Sequence, residues 1–108
     1  MGKSDVEEAL MFQIRVVGIP LPLRNHRFAL PDRKWELDLI WPGSMVAVEV
    51  QGGLWILGRH VQPEGYENDC RKANEAVRRG WKLYRVTPSM IKSGEALRII
   101  EAALEGAG

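Results

Sequence analysis

Two short runs with alternating residues, W-E-L-D-L-I-W from Trp35 to Trp41 and M-V-A-V-E-V-Q from Met45 to Gln51, stand on either side of Pro42-Gly43. Side chains leave an extended strand on alternate faces, so Trp35, Leu37, Leu39 and Trp41 share one face and Glu36, Asp38 and Ile40 the other. In the second run Val46, Val48 and Val50 oppose Ala47, Glu49 and Gln51. Pro-Gly supplies a turn, and the pair is expected to form an antiparallel hairpin. With Trp41 and Ser44 flanking the turn as partners, Asp38 falls opposite Ala47. Glu49 is then its diagonal neighbour, about 7 to 8 Å away between backbones, near enough for two carboxylates to share one ion.

The rest of the chain builds around this hairpin. Ser4 and Glu7 have the spacing of a capping box, and Val6, Leu10, Ile14 and Val17 recur at helical intervals, so a helix is expected from about Asp5 to Val17. Gly18 suits its end, and Pro20 and Pro22 prevent continuation. The segment LRNHRFALPDRK has four Arg or Lys among its twelve residues and an apolar break at Phe28 to Leu30, which reads as a short strand between basic loops. Gly52-Gly53 ends the hairpin, and GLWILGRHVQPEG follows as a long loop of the kind that often carries function.

Tyr66 to Arg79 has helical composition and stops at Gly80; Trp81 to Val86 is a further strand. Thr87-Pro88 opens a last helical region, clearest from Glu95 to Leu104 with Leu97, Ile100 and Leu104 inward. Trp81 and Tyr84 are expected in the core. The order α-β-β-β-α-β-α, without repeats or linkers, predicts one α/β (α+β) domain over residues 1–108 with a mixed four-stranded sheet flanked by helices. At 108 residues and 45% hydrophobic content the chain can fill one such core.

Charge and cysteine content narrow the classes. With 15 Lys plus Arg against 14 Asp plus Glu, the net charge of +1 gives no global sign of a nucleic-acid partner, so local clustering must supply it. Cys70 is the single cysteine, which excludes an internal disulfide and a cysteine-rich zinc site and suits a reducing, cytoplasmic setting. The opening MGKSDVEEAL is charged, and no apolar run reaches the roughly 18 residues of a membrane helix. A soluble protein that is not exported is expected.

The hairpin aims Asp38, Glu49 and Gln51 at one patch. Burying unpaired carboxylates is costly, so the patch needs a cation, a basic partner or water. A simply solvated face is the alternative. Ile40 and Ala47 on the same face, and helices that must cover something, favour partial burial. Oxygen ligands of this kind suit Mg²⁺ or Mn²⁺ rather than a soft metal, and such an ion can activate water and neutralise phosphoryl charge. Glu7 shares a helix face with Leu10, Met11 and Ile14 and can join them, although the capping box explains it equally well.

Asp38, ten intervening residues and then Glu49-Val50-Gln51, preceded by a helix bearing an acidic residue, resembles the Asp…(Asp/Glu)-x-Lys signature of the PD-(D/E)xK nucleases. The longer string RKWELDLIWPGSMVAVEVQGGLWILGRH…DCRKANEAVRRGWKLYRVTP is similar to small phage and bacterial members related to archaeal-type Holliday junction resolvases and very-short-patch repair endonucleases. The likeness runs from about Ser4 to Met90. It implies a restriction-endonuclease-like core, a Mg²⁺ or Mn²⁺ cofactor, metal ligands at Asp38, Glu49 and the Val50 carbonyl, and Glu7 as the acidic residue of the first helix. It further implies in-line hydrolysis of a DNA phosphodiester to 5′-phosphate and 3′-hydroxyl ends, in a bacterial or phage-infected cell. Gln51 stands where the family usually has Lys: it can orient a water but brings no positive charge, which Lys72 or a second metal would have to supply.

Arg24, His26, Arg27, Arg33 and Lys34 before the catalytic strand, and Arg59 and His60 after it, bracket the patch as candidate phosphate contacts, with solvated basic loops as the plain alternative. Asp69, Lys72 and Asn74 match a further D-x-x-K-x-N string of the resembling group. Trp55, Ile56 and Leu57 suit a core plug or a homodimer contact, and a dimer suits cutting of two strands. The expected activity is a structure-selective, Holliday junction resolvase-like endonuclease. The alternatives are a mismatch- or site-directed nicking nuclease, a catalytically inactive nuclease-fold DNA-binding module, and a plain interaction domain.

Overall fold

The computed structural model describes residues 3–51 and 63–106. Its elements are α1 (Lys3–Val17), β1 (Leu23–Arg27), β2 (Glu36–Trp41), a 3₁₀ turn (Pro42–Ser44), β3 (Val46–Val50), α2 (Pro63–Arg78), β4 (Lys82–Val86), α3 (Pro88–Ser93) and α4 (Glu95–Gly106). The strands form one sheet in the order β1-β2-β3-β4. β1–β2 and β2–β3 are antiparallel and β3–β4 is parallel, with α2 as the crossover. This is the mixed four-stranded α+β arrangement that the pattern of elements predicts. Among the described residues, no helix is long and apolar enough to cross a membrane.

Each face of the sheet has its own core. On one, Leu39, Trp41, Val46, Val48, Val50 and Val86 pack against Val6, Leu10, Met11 and Ile14 of α1, Ile91 of α3 and Ala96, Ile100 and Ala103 of α4. Leu97, Leu104 and Tyr84 line this core while partly buried. The opposite face gathers Phe28, Ala29, Leu37, Ile40, Ala47 and Trp81 around Ala76, the one fully buried side chain among the described residues of α2.

Both long helices that lead into strands end in the same way. Gly18 (φ 83°) and Gly80 (φ 98°) adopt left-handed backbone, and the next N–H reaches back five residues, Ile19 to Ile14 O at 3.2 Å and Trp81 to Ala76 O at 3.0 Å. Glycine meets that conformation without steric cost, and the apolar residue behind it is turned back onto the core. Trp81 is thereby fixed under the sheet. Thr87 caps α3, its Oγ1 accepting from Met90 N at 3.2 Å, with Pro88 in the first turn as the sequence suggests.

Two expectations change. α1 begins at Lys3, so Ser4 lies within the helix instead of at its cap, and Glu7 is not held there as the partner in a capping box. The strand in LRNHRFALPDRK is LRNHR itself, so Arg24, His26 and Arg27 sit on an edge strand and not in loops. Its exposed, charged character hides it from an apolar period-two search, yet charge is what keeps an open sheet edge from pairing with other chains.

Candidate active site

The hairpin register differs from the one a two-residue Pro-Gly turn would impose. Pro42–Ser44 form a 3₁₀ turn and Met45 takes left-handed backbone (φ 56°), its N–H donating to Pro42 O at 3.1 Å. Trp41 therefore pairs with Val46, Ile40 with Ala47 and Leu39 with Val48. One further step puts Asp38 opposite Glu49, not opposite Ala47 with Glu49 on the diagonal.

At that step the ladder stops and the carboxylates take its place. Asp38 N–H donates to Glu49 Oε2 at 2.8 Å, and Val50 N–H donates to Asp38 Oδ2 at 2.8 Å. The two strands fork there, and each acidic side chain satisfies a main-chain group that the missing rung would otherwise orphan. Across the fork, Asn25 on β1 has left-handed backbone (φ 54°) at the position facing Asp38, between the pairs Arg24–Leu39 and His26–Leu37. Beyond this kink Leu37 packs with Ile40 and Ala47 instead of with Leu39 and Trp41, contrary to simple alternation.

Asp38 is buried, at 6% exposure. Lys72 of α2 reaches Glu49 Oε1 with its Nζ at 2.6 Å. Burial pushes the Glu49 carboxyl above the ordinary carboxylate range, the Asp38 charge adds to the rise, and Lys72 opposes it. Gln51 follows two residues on, so alternation puts it on the Glu49 face, and its N–H extends the parallel ladder to Val86 O at 2.8 Å. A residue's N–H and C=O leave an extended strand on the same side, so the Val50 carbonyl turns with its N–H toward the fork. Asp38, Glu49 and Lys72 thus come together, and the strand carries Val50 and Gln51 directly on from Glu49.

Glu7 does not join them. It is buried, at 6% exposure, and accepts from Arg24 Nε at 3.0 Å and Nη2 at 2.6 Å, while Arg24 also meets Glu8 at 2.7 Å. These bonds, that to Glu7 foremost, raise the Arg24 guanidinium above its already high ordinary value. Arg24 pairs with Leu39, whose side chain belongs to the α1 core, whereas Ile40, Ala47 and Lys72 mark the carboxylate pair as facing α2. The sheet lies between them. Among the described residues no three His, Cys, Asp or Glu side chains converge as a metal-holding group.

The two paired carboxylates, with the main-chain carbonyl that strand geometry turns toward them, fit a hard divalent cation in kind, being all oxygen. Each carboxylate oxygen has two acceptor sites, and the bonds described above take one each on Glu49 Oε1, Glu49 Oε2 and Asp38 Oδ2.

The basic candidates are spread more widely. Arg27 pairs with Glu36 at 3.4 Å on the surface. The His26 ring lies 6.0 Å from that of Trp81, and Arg33 stacks over Trp35 at 5.3 Å while Lys34 is exposed. Asp69 and Asn74 are exposed on α2. Arg59 and His60, with Trp55, Ile56 and Leu57, lie outside the described residues.

One cation beside the site goes unnoticed in the sequence. Arg85 of β4 pairs in parallel register with Glu49 and is exposed. Alternation along W-K-L-Y-R-V groups it with Leu83, but only the non-local register sets it beside Glu49. Comparison with known proteins found no matching family model, no matching curated protein and no matching solved structure.

Proposed function

We propose that the protein is a metal-dependent DNA endonuclease of the PD-(D/E)xK type. The observation that carries the reading is the reciprocal Asp38–Glu49 pair at the strand fork with Lys72 on Glu49. Asp38, Glu49 and the Val50 carbonyl would hold Mg²⁺ or Mn²⁺. When bound, such an ion offsets charge on the phosphoryl group and lowers the pKa of water. Lys72 supplies the positive charge that Gln51 lacks, and the Gln51 amide orients the attacking water by hydrogen bonding. Glu7 acts at a distance by holding Arg24 on β1. Structure-selective cutting by a homodimer, of the junction-resolving kind, is the preferred form.

Labelled junction, flap, mismatched and linear duplex DNA incubated with Mg²⁺ or Mn²⁺ tests the reading. Cleavage of at least one substrate is expected, and Asp38→Asn and Glu49→Gln should each lower the rate at least about a thousandfold while sparing DNA binding. Absence of cleavage of all four by folded protein would sink it.

A second reading, a nuclease-fold DNA-binding module without catalysis, is favoured by the same ion pair seen otherwise. Lys72 and two main-chain N–H groups already engage the carboxylates without any metal ion. In that case DNA binding persists, no substrate is cut, and Mg²⁺ leaves the melting temperature unchanged.

A further inference from the structure

Glu49 pairs with Arg85, and continuing the two antiparallel registers across the fork brings Asp38 and Asn25 into the same transverse row of the sheet. Side chains directly paired in a sheet share a face: Ala47 and Leu83, the preceding pair, both face α2, and Val48 and Tyr84 both face the α1 core. Arg85 therefore stands on the α2 face, one strand beyond Glu49, at the open β4 edge.

Its surroundings differ from those of the other arginines near this face. On α2, Arg71 pairs with Glu67 and Arg78 with Glu75, which Arg79 just beyond the helix also meets; on β1, Arg27 pairs with Glu36, and Arg33 stacks over the Trp35 ring. Glu49, the acidic side chain in register with Arg85, takes Lys72 instead. Among the described residues Arg85 meets no carboxylate. An exposed guanidinium without a carboxylate partner among the described residues, one strand from a carboxylate pair, presents a fork of donors suited to a phosphate.

We propose that Arg85 is a phosphate-binding residue of the substrate strand: the DNA backbone crosses the sheet along this row, and Arg85 holds the phosphate next to the one at the carboxylate pair. The inference rests on the nuclease reading for the scissile position but not for the contact itself. Its contribution is to affinity, because Arg85 is set apart from the reacting atoms by Glu49.

The test measures binding of a fluorescently labelled DNA duplex by anisotropy at KCl concentrations from about 50 to 200 mM, for the wild type and Arg85→Ala, Arg85→Lys and Arg98→Ala. Arg98 is exposed on α4 at the other face and serves as the control. Arg85→Ala should weaken binding about three- to tenfold and reduce the slope of log affinity against log salt by about one; Arg85→Lys should keep most of the slope, and Arg98→Ala should keep all of it. In cleavage assays Arg85→Ala should raise KM and leave kcat near wild type. A wild-type slope in Arg85→Ala, or an equal loss in Arg98→Ala, overturns the assignment. DNA binding with an Arg85-dependent slope but no cleavage by the wild type removes the nuclease reading and keeps the contact; no DNA binding by the wild type removes both.

Discussion

The two faces of the sheet are built on different principles. The α1 face is a packed aliphatic layer in which Leu10, Ile14, Leu39, Val46, Val48 and Ile100 are wholly buried beneath three helices. The α2 face has one helix and one fully buried α2 side chain among the described residues, and its remaining space holds Asp38, Glu49 and Lys72. Stability resides on the first face by simple area burial. The second holds charges that burial penalises and only mutual bonding makes tolerable. A small sheet can carry a reactive cluster on one side because the other side supplies the folding free energy.

Truncation on the packed side should have the largest effect on stability. Leu10→Ala is expected to cost about 2 to 5 kcal/mol in urea unfolding, with the cleavage rate of the folded fraction unchanged. A small loss would mean that the α1 layer is not the main support. On the other face, Lys72→Met leaves the Glu49 carboxylate without its counter-charge and should cost about 1 to 3 kcal/mol near neutral pH. The sign follows from the raised Glu49 carboxyl: its proton is held more tightly folded than unfolded, so stability falls as pH rises through the raised value. Without Lys72 that fall steepens, and at acid pH, with Glu49 protonated in both states, the variant and the wild type should converge. Urea unfolding across the pH range checks this, and a deficit equal at all pH values would show that Lys72 acts only through packing. The smallest effect is expected at the kink. Asn25→Val should cost about 1 to 2 kcal/mol because a β-branched residue resists left-handed backbone, whereas Asn25→Gly should be near neutral. Equal costs for the two would remove the backbone conformation as the cause.

The hairpin and both glycine stops were legible because alternation and positive-φ demand lie within a few residues, and the helices were legible in place but not in their ends: α2 starts at Pro63, inside the segment read as loop, and the last helical region is two helices parted at Gly94. The register was not. It turns on Met45 taking a left-handed conformation, which nothing about methionine announces, and two more residues in the connection bring Asp38 directly to Glu49. Glu7 was visible as an acidic residue on a buried helix face, but its partner Arg24 comes from a strand whose sequence carries no apolar rhythm. Lys72 could be suggested as a charge donor from its place on the second helix; Arg85 could not, because parallel pairing through a crossover leaves no mark near either residue.

The fork also gives this protein two built-in reporters. The amide protons of Asp38 and Val50 each end on a carboxylate oxygen of the pair instead of on a main-chain carbonyl of the neighbouring strand. Any ligand that draws electron density from those oxygens must shift the resonances of these two amides, and weakening either bond must speed exchange of its proton with solvent. Occupancy of the site can thus be followed in solution from two backbone signals, without turnover and without a label on the DNA.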